Sequence, residues 1–147
     1  GTGADTFSPG ASCTRAQMVT FLWRAAGSPA PKSAVNPFQD VRSSDYYYDA
    51  VLWAVENGIT SGTGADTFSP NVTVTRGQTV TFLYRAAGSL AVGGNAGFSD
   101  VNKNDYYNSA VAWAAENNIT GGVGGGKFSP NADCTRGQIV TLLYRAQ

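Results

Sequence analysis

The chain contains no histidine. That absence removes most general-base designs, most catalytic triads and most zinc sites. Its two cysteines, Cys13 and Cys134, are too few for a disulfide framework. Charge is sparse, at 14% of residues, and 10 basic side chains cancel 10 acidic ones. A phosphate-binding domain carries a basic excess or stripe, so no nucleic acid is expected as a partner. No apolar run approaches the roughly 18 residues that span a bilayer, so no membrane insertion is expected. No charged-then-apolar leader opens the chain at Gly1-Thr2-Gly3. The segment reads as a processed product or as part of something longer.

What the chain does have is size and repetition. Its 147 residues are 42% apolar, enough for one modest domain with a real core. Phe7-Ser8-Pro9 recurs as Phe68-Ser69-Pro70 and Phe128-Ser129-Pro130. Each is followed by a Thr-Arg step, at Thr14-Arg15, Thr75-Arg76 and Thr135-Arg136, and then by an apolar run. A second unit occurs twice, from Phe38-Gln39-Asp40-Val41 to Trp53 and from Phe98-Ser99-Asp100-Val101 to Trp113. Such internal repetition marks an architecture in which neighbouring units bury each other's apolar faces. The organisation expected is half a repeat at 1–27, a linker at 28–37, a full repeat at 38–88, a linker at 89–97 and a full repeat at 98–147.

Both half-units read as helices. Thr75 with Gln78 is a Thr-x-x-Gln capping box, repeated as Thr14 with Gln17 and Thr135 with Gln138. Behind it, Val80, Leu83, Tyr84 and Ala87 fall on one helical face. Gly27 and Gly88 stop two of these helices in the left-handed conformation. In the second unit Ala50, Trp53, Ala54 and Asn57 share a face, as do Ala110, Trp113, Ala114 and Asn117. Gly58 and Asn118 end those helices, both residues that tolerate the left-handed state. Gly-rich loops, each leading into a Phe-Ser-Pro with short strand character, join the paired helices. The fold expected is mainly α: five main helices in tandem helix-loop-helix repeats.

These motifs, in this order, resemble the S-layer homology domain family. Its repeat carries F-x-D-V, a Trp-containing helix, a G-I-x-x-G turn, an F-x-P step and a T-R-A-E helix start. Here the elements are Phe38-Gln39-Asp40-Val41, the Trp53 helix, Gly58-Ile59 with Gly62, Phe68-Ser69-Pro70 and Thr75-Arg76-Gly77-Gln78. The order repeats from Phe98 to Gln138. The family's Glu is Gln at Gln17, Gln78 and Gln138, which keeps the cap and loses the charge. The resemblance implies packing with pseudo-threefold symmetry, which an upstream half-repeat or another copy of the chain would complete. It also implies a bacterial surface or cell-wall location and noncovalent binding of an anionic secondary cell-wall polysaccharide, pyruvylated in many members. No cofactor and no metal are implied, and no enzyme activity.

The resemblance points to Arg15, Arg76 and Arg136 as ligand-binding residues. Each sits in a first helical turn, where partial positive charge and a guanidinium fork suit a carboxylate or phosphate. Ion pairing to Asp40 or Asp100 is the other role open to them. Asp40 and Asp100 are candidates for accepting sugar hydroxyls or for capping a turn. Trp53 and Trp113 are candidates for stacking on sugars, with a core role as the alternative. Arg24, Arg85 and Arg145, in the last helical turns, read as structural. Tyr46-Tyr47-Tyr48 and Tyr106-Tyr107 cannot all be buried on one face, so some of these rings are exposed. Cys13 and Cys134 align with Val74, which predicts a small buried apolar site that a free thiol fills. The leading functional expectation is a wall-anchoring module, with structural self-assembly or protein-protein interaction as the alternative. A carboxylate pair for glycoside hydrolysis, Asp40 with Asp49 or Asp100 with Glu116, is a third and weaker one, because catalytic sites break repeat symmetry.

Overall fold

The structure, a computed structural model, describes residues 10–93 and 97–146. Phe7-Ser8-Pro9 therefore lies outside the described residues. The chain is mainly helical, as expected: α1 is Arg15–Ala25, α2 Tyr48–Glu56, α3 Arg76–Ala86, α4 Asn108–Glu116 and α5 Arg136–Arg145. Among the described residues the only β pairing is in isolated bridges. Helix α1 packs on α2 and α3 on α4, while α1, α3 and α5 pack on one another.

The ends of the helices follow from local chemistry. Thr14, Thr75 and Thr135 each accept the N–H of the glutamine three residues on, and that glutamine's side chain accepts the threonine's own N–H. Two orphan donors per helix are thereby satisfied, worth about 1 kcal/mol each time. At the other end of α1, Gly27 N–H donates to Arg24 C=O and Ser28 N–H to Trp23 C=O. This is a Schellman motif, with Gly27 at φ +92°. Helix α3 ends in the same way at Gly88 and Ser89. Helices α2 and α4 end at Gly58 and Asn118, both left-handed, and the next residues, Ile59 and Ile119, turn into the core.

The half-units are joined by a ring of main-chain hydrogen bonds. Cys13 N–H donates to Cys134 C=O, Cys134 N–H to Val74 C=O and Val74 N–H to Cys13 C=O, at 3.2, 3.0 and 2.8 Å. Just beyond it, the first N–H of each of α1, α3 and α5 donates to a neighbouring half-unit, at Val72, Ala132 and Ala11 C=O respectively. The second N–H of α1 and of α3 donates to Pro70 and Pro130 C=O. Donors that a helix start normally exposes are therefore used up in joining the repeats. Beneath the ring sit Met18, Val80, Ile139, Phe68, Phe128, Ile59 and Ile119, all essentially fully buried. Cys13 and Cys134 are buried there too, as free thiols. Burial raises both thiol pKa values, that of Cys13 to about 11.

The loops are pinned as well. Gly62 lies at φ +93°, and a Cβ there would meet Thr67 O at 2.4 Å and the Phe38 ring at 2.5 Å. Gly122 is held in the same way against Lys127 O and Phe98. The residue is glycine because both the backbone angle and the space demand it.

Candidate functional site

Asp40 and Arg15 both act on one Phe-Ser step, from opposite sides. The Asp40 carboxylate accepts the N–H groups of Phe68 and Ser69, at 2.9 and 2.8 Å. Arg15 Nε–H donates to Phe68 C=O at 2.9 Å. The next repeat does the same: Asp100 accepts from Phe128 and Ser129, and Arg76 Nε–H donates to Phe128 C=O. The arginines are bonded to a backbone carbonyl, not paired with the aspartates. The two N–H bonds, led by that of Phe128, hold the Asp100 carboxyl below its ordinary pKa.

The guanidinium groups are unusually placed. Arg15 is 3% exposed and Arg76 6%. Arg15 lies over the rings of Phe68 and Phe82, at 4.9 and 5.4 Å, and Arg76 over Phe128 at 4.7 Å. Arg136 lies over Phe21 at 5.3 Å. Beyond the Nε bond, the Nη groups of Arg15 and Arg76 find no hydrogen-bond partner among the described residues. Burial pulls both arginine pKa values down, and neighbouring Tyr106 and Asp40 for Arg15, or Cys134 and Asp100 for Arg76, offset part of this. Arginine still keeps its charge. A largely desolvated cation held by one neutral carbonyl carries a cost which an anion would relieve.

Each of these arginines lines a groove. The Arg15 groove, about 310 Å³, is bounded by loop residues 60–63, by Gln78, Thr81, Phe82 and Arg85 of α3, and by Tyr106. The Arg76 groove, about 590 Å³, is bounded by residues 120–123 and by Gln138, Thr141, Leu142 and Arg145 of α5. A third, of about 270 Å³, joins Arg136 to Gln17, Thr20, Phe21 and Arg24 of α1 and to Tyr46. The same four helix positions therefore face a groove in all three copies. Arg85 and Arg145 also donate to the carbonyls of Ile59 and Ile119, fastening α3 and α5 to the ends of the preceding helices. Their structural role is real, and they border the grooves as well.

The other expected residues lie elsewhere. Trp53 and Trp113 line an apolar hollow of about 410 Å³ with Leu22, Leu83, Leu143 and alanines near the ends of α1, α3 and α5. They do not border any of the three arginine grooves. Tyr47 and Tyr107 are buried, while Tyr46 and Tyr106 stand exposed beside their grooves, edge-on to the buried rings. The starts of α1 and α3 offer a ligand no free N–H group, because the first three N–H groups of each are bonded. What remains for a ligand is the side chains.

The family model described as S-layer homology domain matches residues 37–80 and 97–140. A cell surface protein of Thermoanaerobacter kivui is 32% identical over 119 residues, 78% of this chain and 16% of that protein. The surface-layer 125 kDa protein of Lysinibacillus sphaericus is 31% identical over 117 residues, 80% of this chain and 10% of that protein. An endoglucanase of Bacillus sp. (strain KSM-635) is 34% identical over 122 residues, 83% of this chain and 13% of that protein. The chain thus spans a sixth or less of the relatives it matches. With two family matches in tandem over more than half its length, the chain belongs to the S-layer homology domain family.

Proposed function

We propose that the chain is a noncovalent anchoring module that binds an anionic, pyruvate-ketal-bearing cell-wall polysaccharide at a bacterial surface. The observation that carries the reading is the pair of largely covered arginines, Arg15 and Arg76, each fixed through Nε to a backbone carbonyl, with Nη groups that have no hydrogen-bond partner among the described residues and line grooves. A carboxylate entering such a groove forms charge-assisted, forked hydrogen bonds in a largely desolvated place. Arg136 lines the third groove. Asp40 and Asp100 hold the Phe-Ser step against which the arginine is set. The cell surface, surface-layer and wall proteins among the relatives support the location. The endoglucanase supports the view that such a module accompanies different partners, catalytic ones included. In this reading the chain itself catalyses nothing, since Asp40 and Asp100 are spent on backbone N–H groups.

The test is cosedimentation with purified cell walls before and after chemical removal of the secondary polysaccharide. Binding lost with the polymer is the expected result, and binding that survives its removal refutes the reading.

One observation favours the assembly reading as a second role. Val140 of α5 is 41% exposed, whereas its counterparts Val19 and Val80 are fully covered. Tyr144 on the same helix is 78% exposed. Helices α2 and α4 pack on α1 and α3, and α5 has no such partner among the described residues. A Trp-helix half-unit, from an upstream half-repeat or another copy, would cover this face and complete a threefold unit. Sedimentation analysis across concentration tests the second source: a monomer at all concentrations excludes another copy.

A further inference from the structure

The chain has two cysteines, and both fall in the three-residue main-chain ring, with Val74 as its third member. Cys13 leads into α1 and Cys134 leads into α5, about 120 residues later. Neither lines an arginine groove.

The local backbone sets the two face to face. Ser12 and Thr135 form an antiparallel bridge, flanked by the bonds from Cys13 N–H to Cys134 C=O and from Arg136 N–H to Ala11 C=O. Cys13 is one residue on from Ser12 and Cys134 one residue back from Thr135, so they stand opposite each other in the pair. Side chains alternate across extended backbone. Ser12 is exposed and Thr135 half-buried, whereas Cys13 and Cys134 are both fully covered on the inner face. Residues opposed at a hydrogen-bonded position of an antiparallel pair stand about 5.5 Å apart between Cα atoms. That lies inside the span of about 4.4–6.8 Å that a disulfide bridges. The thiols are close enough for charge on Cys134 to raise the pKa of Cys13.

As fillers of this place the thiols do no more than valine, which occupies the third position. What two facing thiols add is a covalent bond. The cell surface, where the family's members reside, is a compartment in which disulfides form and persist.

We infer that Cys13 and Cys134 are a covalent clasp, joined as an intramolecular disulfide when the chain folds in the presence of a small-molecule disulfide. One thiolate attacks the small disulfide, releasing one small thiol and leaving a mixed disulfide. The other thiolate attacks the cysteine sulfur of that intermediate and releases the second small thiol. Two electrons pass from the cysteines to the small disulfide, and the two cysteine protons end on the released thiols. The bond forms during folding, because native packing shields both thiols of the reduced chain and burial holds them protonated. It closes a loop of about 120 residues and fastens the first half-unit to the third, a join otherwise made by backbone hydrogen bonds and packing.

The test uses the whole chain. Reduced, urea-unfolded protein is refolded against glutathione buffers of graded oxidised-to-reduced ratio. The products are blocked with iodoacetamide in denaturant and analysed by mass spectrometry. The monomer refolded with oxidised glutathione should take up no iodoacetamide and should yield the Cys13 peptide linked to the Cys134 peptide. The equilibrium constant for the bond should be at least about a hundredfold larger in native buffer than in concentrated urea. The linked chain should melt at least about 5 °C above the reduced one. Cys13→Val/Cys134→Val, which repeats Val74 at both positions, should show no dependence of Tm on oxidant. Free thiols on the refolded chain, glutathione retained on either cysteine, or links between chains each overturn the inference. So does a bond no more favoured in native buffer than in urea, a comparison that needs no variant. A linked chain that melts at or below the reduced one overturns it as well.

Discussion

Replacing Asp100 by Asn removes one charge and almost no volume. In the native chain the carboxylate accepts Phe128 N–H at 2.9 Å and Ser129 N–H at 2.8 Å. The amide side chain keeps one acceptor oxygen and turns an NH₂ toward the second donor. The substitution therefore loses one charge-assisted bond and weakens the other, costing about 2 kcal/mol. For a chain of this length that lowers Tm by about 4–8 °C. The cost depends on pH in a definite direction. The folded pKa of Asp100 lies below the ordinary value of 3.8. Its stabilisation is therefore full above that value and is lost as pH falls through the folded pKa. Urea unfolding at pH 7 should separate parent and variant by the full amount, and the gap should shrink steadily below about pH 4. A variant as stable as its parent at pH 7, or a gap independent of pH, refutes the assignment of this carboxylate as the clamp on the Phe-Ser step.

Four further outcomes are expected. Gly62→Ala drives a Cβ into Thr67 O and the Phe38 ring at φ +93°, costing about 2–4 kcal/mol in urea unfolding. Gly58→Ala, with open space around it, should cost only about 1 kcal/mol. Cys13 and Cys134 should resist Ellman's reagent at pH 8 in the folded chain and react as two thiols once it is denatured, because both are buried and the Cys13 pKa is raised to about 11. Arg15→Met keeps the packing over Phe68 and Phe82 but leaves Phe68 C=O without its donor. It should lose no more than about 2 kcal/mol of stability, while wall binding falls at least tenfold. Unchanged binding would remove Arg15 from the site.

The helix starts and stops were legible because their determinants are local. A Thr and a Gln three residues apart make a capping box whatever surrounds them, and Gly27, Gly58, Gly88 and Asn118 carry the left-handed turn themselves. The ring through Cys13, Val74 and Cys134 was not legible, since it is made of backbone groups at least 60 residues apart. The arginine partners were misplaced for the same reason. Arg15 and Asp40 do converge, but on the main chain of Phe68 and not on each other.

The groove walls were half visible. Gln78, Thr81 and Arg85 lie at i, i+3 and i+7, one polar face, and the same face recurs in α1 and α5. Read one residue at a time, the glutamine is a cap and the arginine a dipole partner, and both readings are correct. Only the three-fold recurrence of the whole polar face signals a shared surface. For Trp53 and Trp113 the opposite holds. Their helical spacing places them on an apolar face, and the structure puts that face at the far ends of α1, α3 and α5, away from the arginines.

The central claim is that the Arg15 and Arg76 guanidinium groups, each fixed through Nε and lining a groove, select a carboxylate on the polymer. The most direct measurement is calorimetric titration of the chain with soluble wall polysaccharide, intact and after mild acid hydrolysis of its pyruvate ketals. The account predicts at least a tenfold loss of affinity on hydrolysis, the equivalent of about 1.4 kcal/mol per lost carboxylate contact. Equal affinity for the two polymers would contradict it.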